Sequence, residues 1–305
     1  MFLLYLALAS ITTAISNLFI RKSTDARKEF GGDPFLPQRL LSSVAVIALF
    51  SFVGTGKFSF DVKMSLLGIV SGIFLGTLMW ATGRSVNRGP SGLSFSIINA
   101  ACVVPPIIMV SLFGIAYGFD YTIRNAFGAV LVVFGLLWMG YGQDTSFKNQ
   151  YKKWLFWVLL SFTIHVLHLT FFQWRALLMN ECYPSSPLLP FVCDPEKGDG
   201  FMISMFLVAA LIQKLVSKAS FTFTFSDRPL WKFGVVGGLF NGIGGYFMIK
   251  ATETAATPID KATLFPLFCI GVIFLCNLWG NLLFKEKIKW IASGVCFAGI
   301  FISLF

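Results

Sequence analysis

The feature that most constrains this chain is the recurrence of long apolar runs separated by short links that hold nearly all its charges. Runs such as "FLLYLALASITTAISNLF" and "LFPLFCIGVIFLCNLWGNLL" continue without a polar face. A hydrocarbon core of about 30 Å takes roughly 20 apolar residues of helix to cross, and the sequence holds about ten stretches of that length. They fall at 1–20, 36–54, 63–82, 92–116, 122–142, 153–174, 200–219, 231–250, 261–283 and 289–305. Core helices of a large soluble protein would need amphipathic partners, and almost none are visible. Transmembrane strands would alternate in polarity over roughly ten residues, which these runs do not. Charged residues make up only 12% of the chain, about half the usual share of a soluble domain. The expected fold class is therefore an all-α membrane protein of ten transmembrane helices, with little outside the bilayer.

The net charge of +10 does not gather into a nucleic-acid-binding patch. Lysine and arginine follow the links instead. Counted over alternate links, one side of the membrane receives 17 and the other 7. The positive-inside rule assigns the richer side to the cytoplasm, and ten spans then put both termini outside a multi-pass cell (inner) membrane protein. No basic residue precedes the first apolar run, as a secretory signal requires, so this run is expected to stay as the first span.

A fixed offset of 166 residues maps Gly68, Gly72 and Gly76 onto Gly234, Gly238 and Gly242. The same offset maps Trp80 onto Tyr246, Arg84 onto Lys250, Gly114 onto Gly280, Asp120 onto Glu286 and Gly128 onto Gly294. The chain thus divides into two related halves, 1–145 and 150–305. Five spans in each make the second half enter the membrane upside down, a plan that recurs in secondary transporters. Upstream of residue 63 the register fails, because the link between the sixth and seventh spans is longer than its counterpart. Asp120 and Glu286 each stand just before the last span of a half, where an acid is expected to face that helix's N-terminus.

The charged hairpin followed by a Gly-containing last span, "LLFKEKIKWIASGVCFAGIFISLF", resembles the drug/metabolite transporter superfamily, in particular its ten-span EamA-type members. "WATGRSVNRGPSGLSFSII" is similar to that family's stretch between the third and fourth spans, where a basic residue and a proline precede small apolar residues. Asp120 departs from the glutamate more usual at its position. The resemblance implies carriage of a small organic solute: an amino acid, a sugar, a nucleotide-like metabolite or a drug.

Polar side chains inside spans point inward and mark pathways or helix contacts. The amides in question are Asn17, Asn99, Asn241 and Asn277. The glycine stripes of the third and eighth spans give smooth faces for close packing. Beyond each lie an aromatic, Trp80 or Tyr246, and then a cation, Arg84 or Lys250. These would form a cavity wall and an anion hold, or else an interfacial aromatic with a snorkelling cation. His165 and His168, three apart, share one face of the sixth span, where they could carry protons, contact a solute or simply pack. A metal site would want a third ligand that the neighbourhood does not supply, and no cofactor is expected. No Asp or Glu falls clearly inside a span, which favours exchange or facilitated movement over carboxylate-based proton coupling. Cys182 and Cys193 share the long link, placed outside, where a disulfide between them is permitted.

The expected function is alternating-access transport of a small metabolite, with amino-acid-like solutes ahead of anionic, nucleotide-like or sugar solutes. A membrane-embedded transferase is disfavoured by the lack of an Asp-rich motif or a His paired with an acid, and a channel or accessory subunit is the third class. The expected partners are the solute and the lipid bilayer, with monomer and homodimer both open.

Overall fold

A computed structural model describes residues 1–26, 33–56, 58–120, 122–140, 150–180, 183–184, 186–194, 197–216 and 228–304. Eleven α-helices are described: α1 (Phe2–Ala26), α2 (Leu36–Thr55), α3 (Val62–Val86), α4 (Ser91–Asn99), α5 (Val104–Leu112), α6 (Ile123–Gly140), α7 (Tyr151–Leu178), α8 (Asp199–Val216), α9 (Gly237–Thr254), α10 (Pro258–Phe284) and α11 (Trp290–Leu304). Among the described residues there is no strand, only an isolated bridge between Phe60 and Gly198. Seven segments are long and apolar enough to cross a membrane: α1, most of α2, α3, the α4–α5 unit, α7, α8 and α10. Shorter apolar helices occupy Ile123–Gly135 and Trp290–Ile302. Large apolar side chains lie open on the outer surface, among them Leu49, Val53, Val130, Phe134, Leu211 and Phe301. A surface of that kind is stable against lipid and not against water. The chain is an all-α, multi-pass membrane protein.

Local chemistry explains the irregular elements. α4 and α5 are joined by a 3₁₀ turn, Ala100–Val103, and Pro105 and Pro106 follow. A proline removes a helical N–H donor and crowds the preceding turn, so the run is broken at Asn99. α9 is entered through a π-helical stretch, Leu230–Val236, directly after Pro229. α10 begins with a capping box: Thr257 Oγ1 accepts from the Asp260 amide and Asp260 accepts from the Thr257 amide.

The glycine stripes are packing seams. α3 lies along α8, and a β-carbon placed on Gly68 or Gly72 would fall within 2.3 Å of the Phe201 carbonyl oxygen or 2.6 Å of that of Met205. α9 lies along α2 in the same way, with a β-carbon at Gly238 falling 2.3 Å from Arg39 O. Backbones this close exclude any side chain larger than hydrogen. Further pairings put α3 on α7, α9 on α1, α1 on α10, α4–α5 on α7 and α6 on α11.

Glu286 does not cap the helix that follows it. Its carboxylate crosses to the start of α4, where Oε1 accepts from Ser91 N at 3.1 Å and Ser91 Oγ at 2.5 Å, and Oε2 accepts from Gly92 N at 2.8 Å. Pro90 stands just before and has no capping side chain, so the orphan amides of α4 take their acceptor from a distant hairpin. That hairpin turns on Lys285, the one described non-glycine residue at positive φ, 54°. Asp120, its sequence counterpart, is exposed.

Candidate functional site

Four helices converge on a central cavity of about 140 Å³, and each presents the same spacing to it. α1 contributes Thr13, Ser16, Asn17 and Ile20; α7 contributes His165, His168, Leu169 and Phe172. α3 contributes Leu75, Leu78, Met79 and Thr82; α9 contributes Asn241, Gly244, Gly245 and Met248. In every case the positions are i, i+3, i+4 and i+7, one face over two helical turns. Phe95, Ile98 and Asn99 of α4, Met205 and Phe206 of α8, and Phe268 of α10 complete the wall. No Lys, Arg, Asp or Glu side chain lines it among the described residues.

The polar groups there are held from behind. Asn241 Nδ2 donates to Ser43 Oγ at 3.0 Å, and Ser16 Oγ approaches Asn241 Oδ1 at 3.5 Å, so one amide ties α1, α2 and α9. Asn17 Nδ2 approaches Cys276 Sγ at 3.6 Å. Asn99 Nδ2 donates to Phe95 O at 2.7 Å within its own helix, directly before the 3₁₀ turn. His165 Nδ1 lies 2.9 Å from Ile98 O. A carbonyl only accepts, so Nδ1 carries the hydrogen and the neutral ring keeps Nε2 as an acceptor. His168 Nδ1 lies 3.4 Å from Ser71 Oγ, which is also 3.2 Å from Met205 Sδ.

Five of the ten residues singled out from sequence, Asn17, Asn99, Asn241, His165 and His168, thus meet at one cavity. The other five lie elsewhere. Trp80 stands edge-on to Trp157 with ring centroids 4.9 Å apart, and Arg84 lies over both rings at 5.8 and 6.0 Å. Tyr246 stacks on Phe50 at 5.2 Å. Lys250 pairs with Glu253 at 2.8 Å and lies 6.0 Å from the Tyr246 ring. Each of these four stands one or two residues along its helix from a lining position, Met79, Thr82, Gly245 or Met248, and a step of one or two residues turns a side chain to another face. Asn277 is buried between Ser96 and Ser293, a link between α4, α10 and α11. Cys193 is buried, whereas Cys182 lies outside the described residues, so their pairing stays an expectation.

Each end of the bundle is fastened by a buried ion pair. At one end Arg39 meets Asp33 at 2.8 Å with both side chains fully buried, and Arg39 Nη1 also donates to Ser16 O at 3.2 Å. Asp33 Oδ2 makes no aligned hydrogen bond, so this contact is an ion pair by distance alone. Gly237 and Gly238 of α9 pack directly on Arg39. Sixteen residues further along α9, about 24 Å at 1.5 Å per residue, Glu253 joins Arg175 at 2.9 Å. The Arg175 guanidinium lies 4.3 Å over the Phe201 ring. Glu253 stands in the last turn of α9, a carboxylate with 17% of its side chain exposed, which the sequence alone did not single out. Thr13, Ser16, Phe95, Phe172 and Met205 also escaped notice. A second offset, 152, would have found some of them, since it carries 13, 16, 17 and 20 of α1 onto 165, 168, 169 and 172 of α7.

No family model matches the chain, and no curated protein matches it. Among solved structures, one described only as a crystal structure of a protein is similar over 97% of this chain and 96% of its own, with a TM-score of 0.60 and 13% identity. At that identity the likeness is one of fold.

Proposed function

We propose that the protein is a secondary transporter that moves a small organic solute through the central cavity by alternating access. The observation that carries this reading is the matched lining. The offset 166 takes Leu75, Leu78, Met79 and Thr82 onto Asn241, Gly244, Gly245 and Met248, and the offset 152 relates α1 to α7. Exchanging the halves also exchanges the seams: α3 on α8 becomes α9 on α2, and α3 on α7 becomes α9 on α1. Two halves of one fold, inverted and facing each other across a hollow, can trade conformations so that the hollow opens to either side in turn. The reading comprises ten spans in inverted five-span repeats, the EamA-type resemblance of the sequence, and a carrier rather than an enzyme.

The lining also narrows the solute. Amides, hydroxyls and imidazoles offer hydrogen bonds without a lysine or arginine to hold a phosphate, and a net charge in a lined apolar hollow is costly. A neutral or zwitterionic metabolite fits better than an anionic or nucleotide-like one. Arg84 and Lys250, the sequence's candidates for an anion hold, are occupied by aromatic rings and by Glu253.

Purified protein in proteoliposomes tests this directly. Saturable uptake of at least one amino acid, sugar or neutral metabolite is expected, with affinity weakened by Asn241→Leu. A broad panel without saturable flux in either direction would remove the proposal.

A further inference from the structure

A second hollow of about 230 Å³ lies at the Glu253 end of the bundle, one helical turn from the central cavity on three helices. On α7 Phe172 faces the cavity and Ala176 the outer hollow; on α9 the pair is Met248 and Thr252; on α10 it is Phe268 and Leu264. The two are consecutive stations along one axis.

The outer station differs from the inner one in carrying charge. Lys261 Nζ donates to Tyr117 O at 3.1 Å and to Tyr183 Oη, and it has no carboxylate partner among the described residues. A lysine ammonium has three hydrogens, so one remains for a ligand. Gln173 is 95% buried: its Nε2 donates to Lys261 O at 3.1 Å, while Oε1 has no partner. A buried acceptor without a donor is unfavourable, and this one calls for an N–H. Both oxygens of Glu253 already take cations, Arg175 and Lys250, yet a carboxylate has further lone pairs to offer. Phe119, Leu177 and Leu264 supply an apolar wall.

Resting on the transport reading, we infer that this outer hollow is a binding station for a small zwitterion, an α-amino acid with a short aliphatic side chain. Its carboxylate meets Lys261, its ammonium meets Gln173 Oε1 and Glu253, and its side chain meets the apolar wall. The volume suits so small a ligand, since drug-sized pockets run to about 300–1,000 Å³. A zwitterion also satisfies the next station. It offers two charged handles at the vestibule while bringing no net charge to a cavity that has none to match it.

The probes are L-leucine, 3-methylbutylamine, which lacks the carboxylate, and 4-methylpentanoate, which lacks the amine. Ligand-induced stabilisation of the full-length protein in detergent reads the station, because a native-state ligand raises the melting temperature by mass action. Leucine is expected to stabilise at about tenfold lower concentration than either analogue, a difference of about 1.4 kcal/mol. Lys261→Gln should equalise leucine and 3-methylbutylamine, and Lys261→Arg should restore the preference. Gln173→Leu should equalise leucine and 4-methylpentanoate. The inference is overturned if leucine stabilises the wild type at no soluble concentration. It is equally overturned if either variant, still melting cooperatively, keeps the wild-type ratios. Leucine uptake separates the two proposals. Uptake with ratios indifferent to Lys261 and Gln173 removes the vestibule and leaves transport standing. Lys261-dependent stabilisation without uptake of any solute does the reverse.

Discussion

Glu286 and Asp120 are matched by the 166-residue offset of the sequence and should behave very differently. Glu286 accepts three hydrogen bonds, from Ser91 N, Ser91 Oγ and Gly92 N, at 3.1, 2.5 and 2.8 Å. A hydrogen bond to a charged group contributes about 1.5–3 kcal/mol net, and the interaction of the charge with a helix N-terminus adds about 0.3–1 kcal/mol. The three share one carboxylate and do not add fully, so Glu286→Ala should lose about 3–5 kcal/mol. Glu286→Gln keeps one oxygen and forfeits the charge and one amide acceptor, for about 1–2 kcal/mol lost. At roughly 2 °C per kcal/mol, the lower end for proteins of about 150–250 residues, the alanine variant should melt about 6–10 °C below the wild type. Asp120 is exposed, so Asp120→Ala should stay within about 0.5 kcal/mol, the ordinary range of a surface change. The assay is thermal melting of the purified protein in detergent, followed by tryptophan emission. Equal losses for the two alanine variants, or no loss for Glu286→Ala, would refute the cross-chain cap.

Gly238→Leu should destabilise by about 1–3 kcal/mol through overpacking, because the space beyond Gly238 Cα is filled by Arg39 O and Ser42 Cβ. Gly294→Ala, with nothing within 4 Å, should instead gain up to about 1 kcal/mol of helix propensity; the same melting assay reads both. Glu253→Gln leaves the fully buried Arg175 without its counter-charge and should cost about 3–5 kcal/mol in denaturant titration. Lys250→Met removes a partner that is 36% exposed and should cost no more than about 1 kcal/mol. Trp80→Phe and Tyr246→Phe should leave solute affinity within about twofold, while Asn241→Leu should weaken it about tenfold or more, some 1.4 kcal/mol, in uptake titrations.

Span placement was legible in part because the bilayer makes length and apolarity nearly sufficient: the expected 36–54 and 63–82 fall inside α2 and α3, and 1–20 overlaps α1 from Phe2, whereas seven of the ten expected spans have a described segment of spanning length. The glycine stripes were legible as packing faces for a similar reason, since only hydrogen fits where Gly68 meets the Phe201 carbonyl. The cavity was half legible. Asn241 and His168 stand out in an apolar run, but Leu75 and Met79 look like any lipid-facing residue until neighbours fix which face turns inward. Trp80 and Tyr246 were drawn in by the 166-residue offset, which pairs positions along the sequence without saying what they touch. Glu253 was hidden because its partner Arg175 lies 78 residues away. Glu286 was legible as a cap, but not whose: the amides it serves lie nearly 200 positions upstream.

A central cavity that, among the described residues, is lined by no lysine, arginine or carboxylate gives the electric field across the bilayer nothing there to pull on. Each unit charge driven across would draw about 2.3 kcal/mol from 100 mV, and a solute whose charges cancel draws none. On the proposed transport function, uptake should run at the same rate whether the vesicle interior is made positive or negative with a potassium diffusion potential. Any accumulation must then come from the gradient of the solute itself or of a second one moved in exchange.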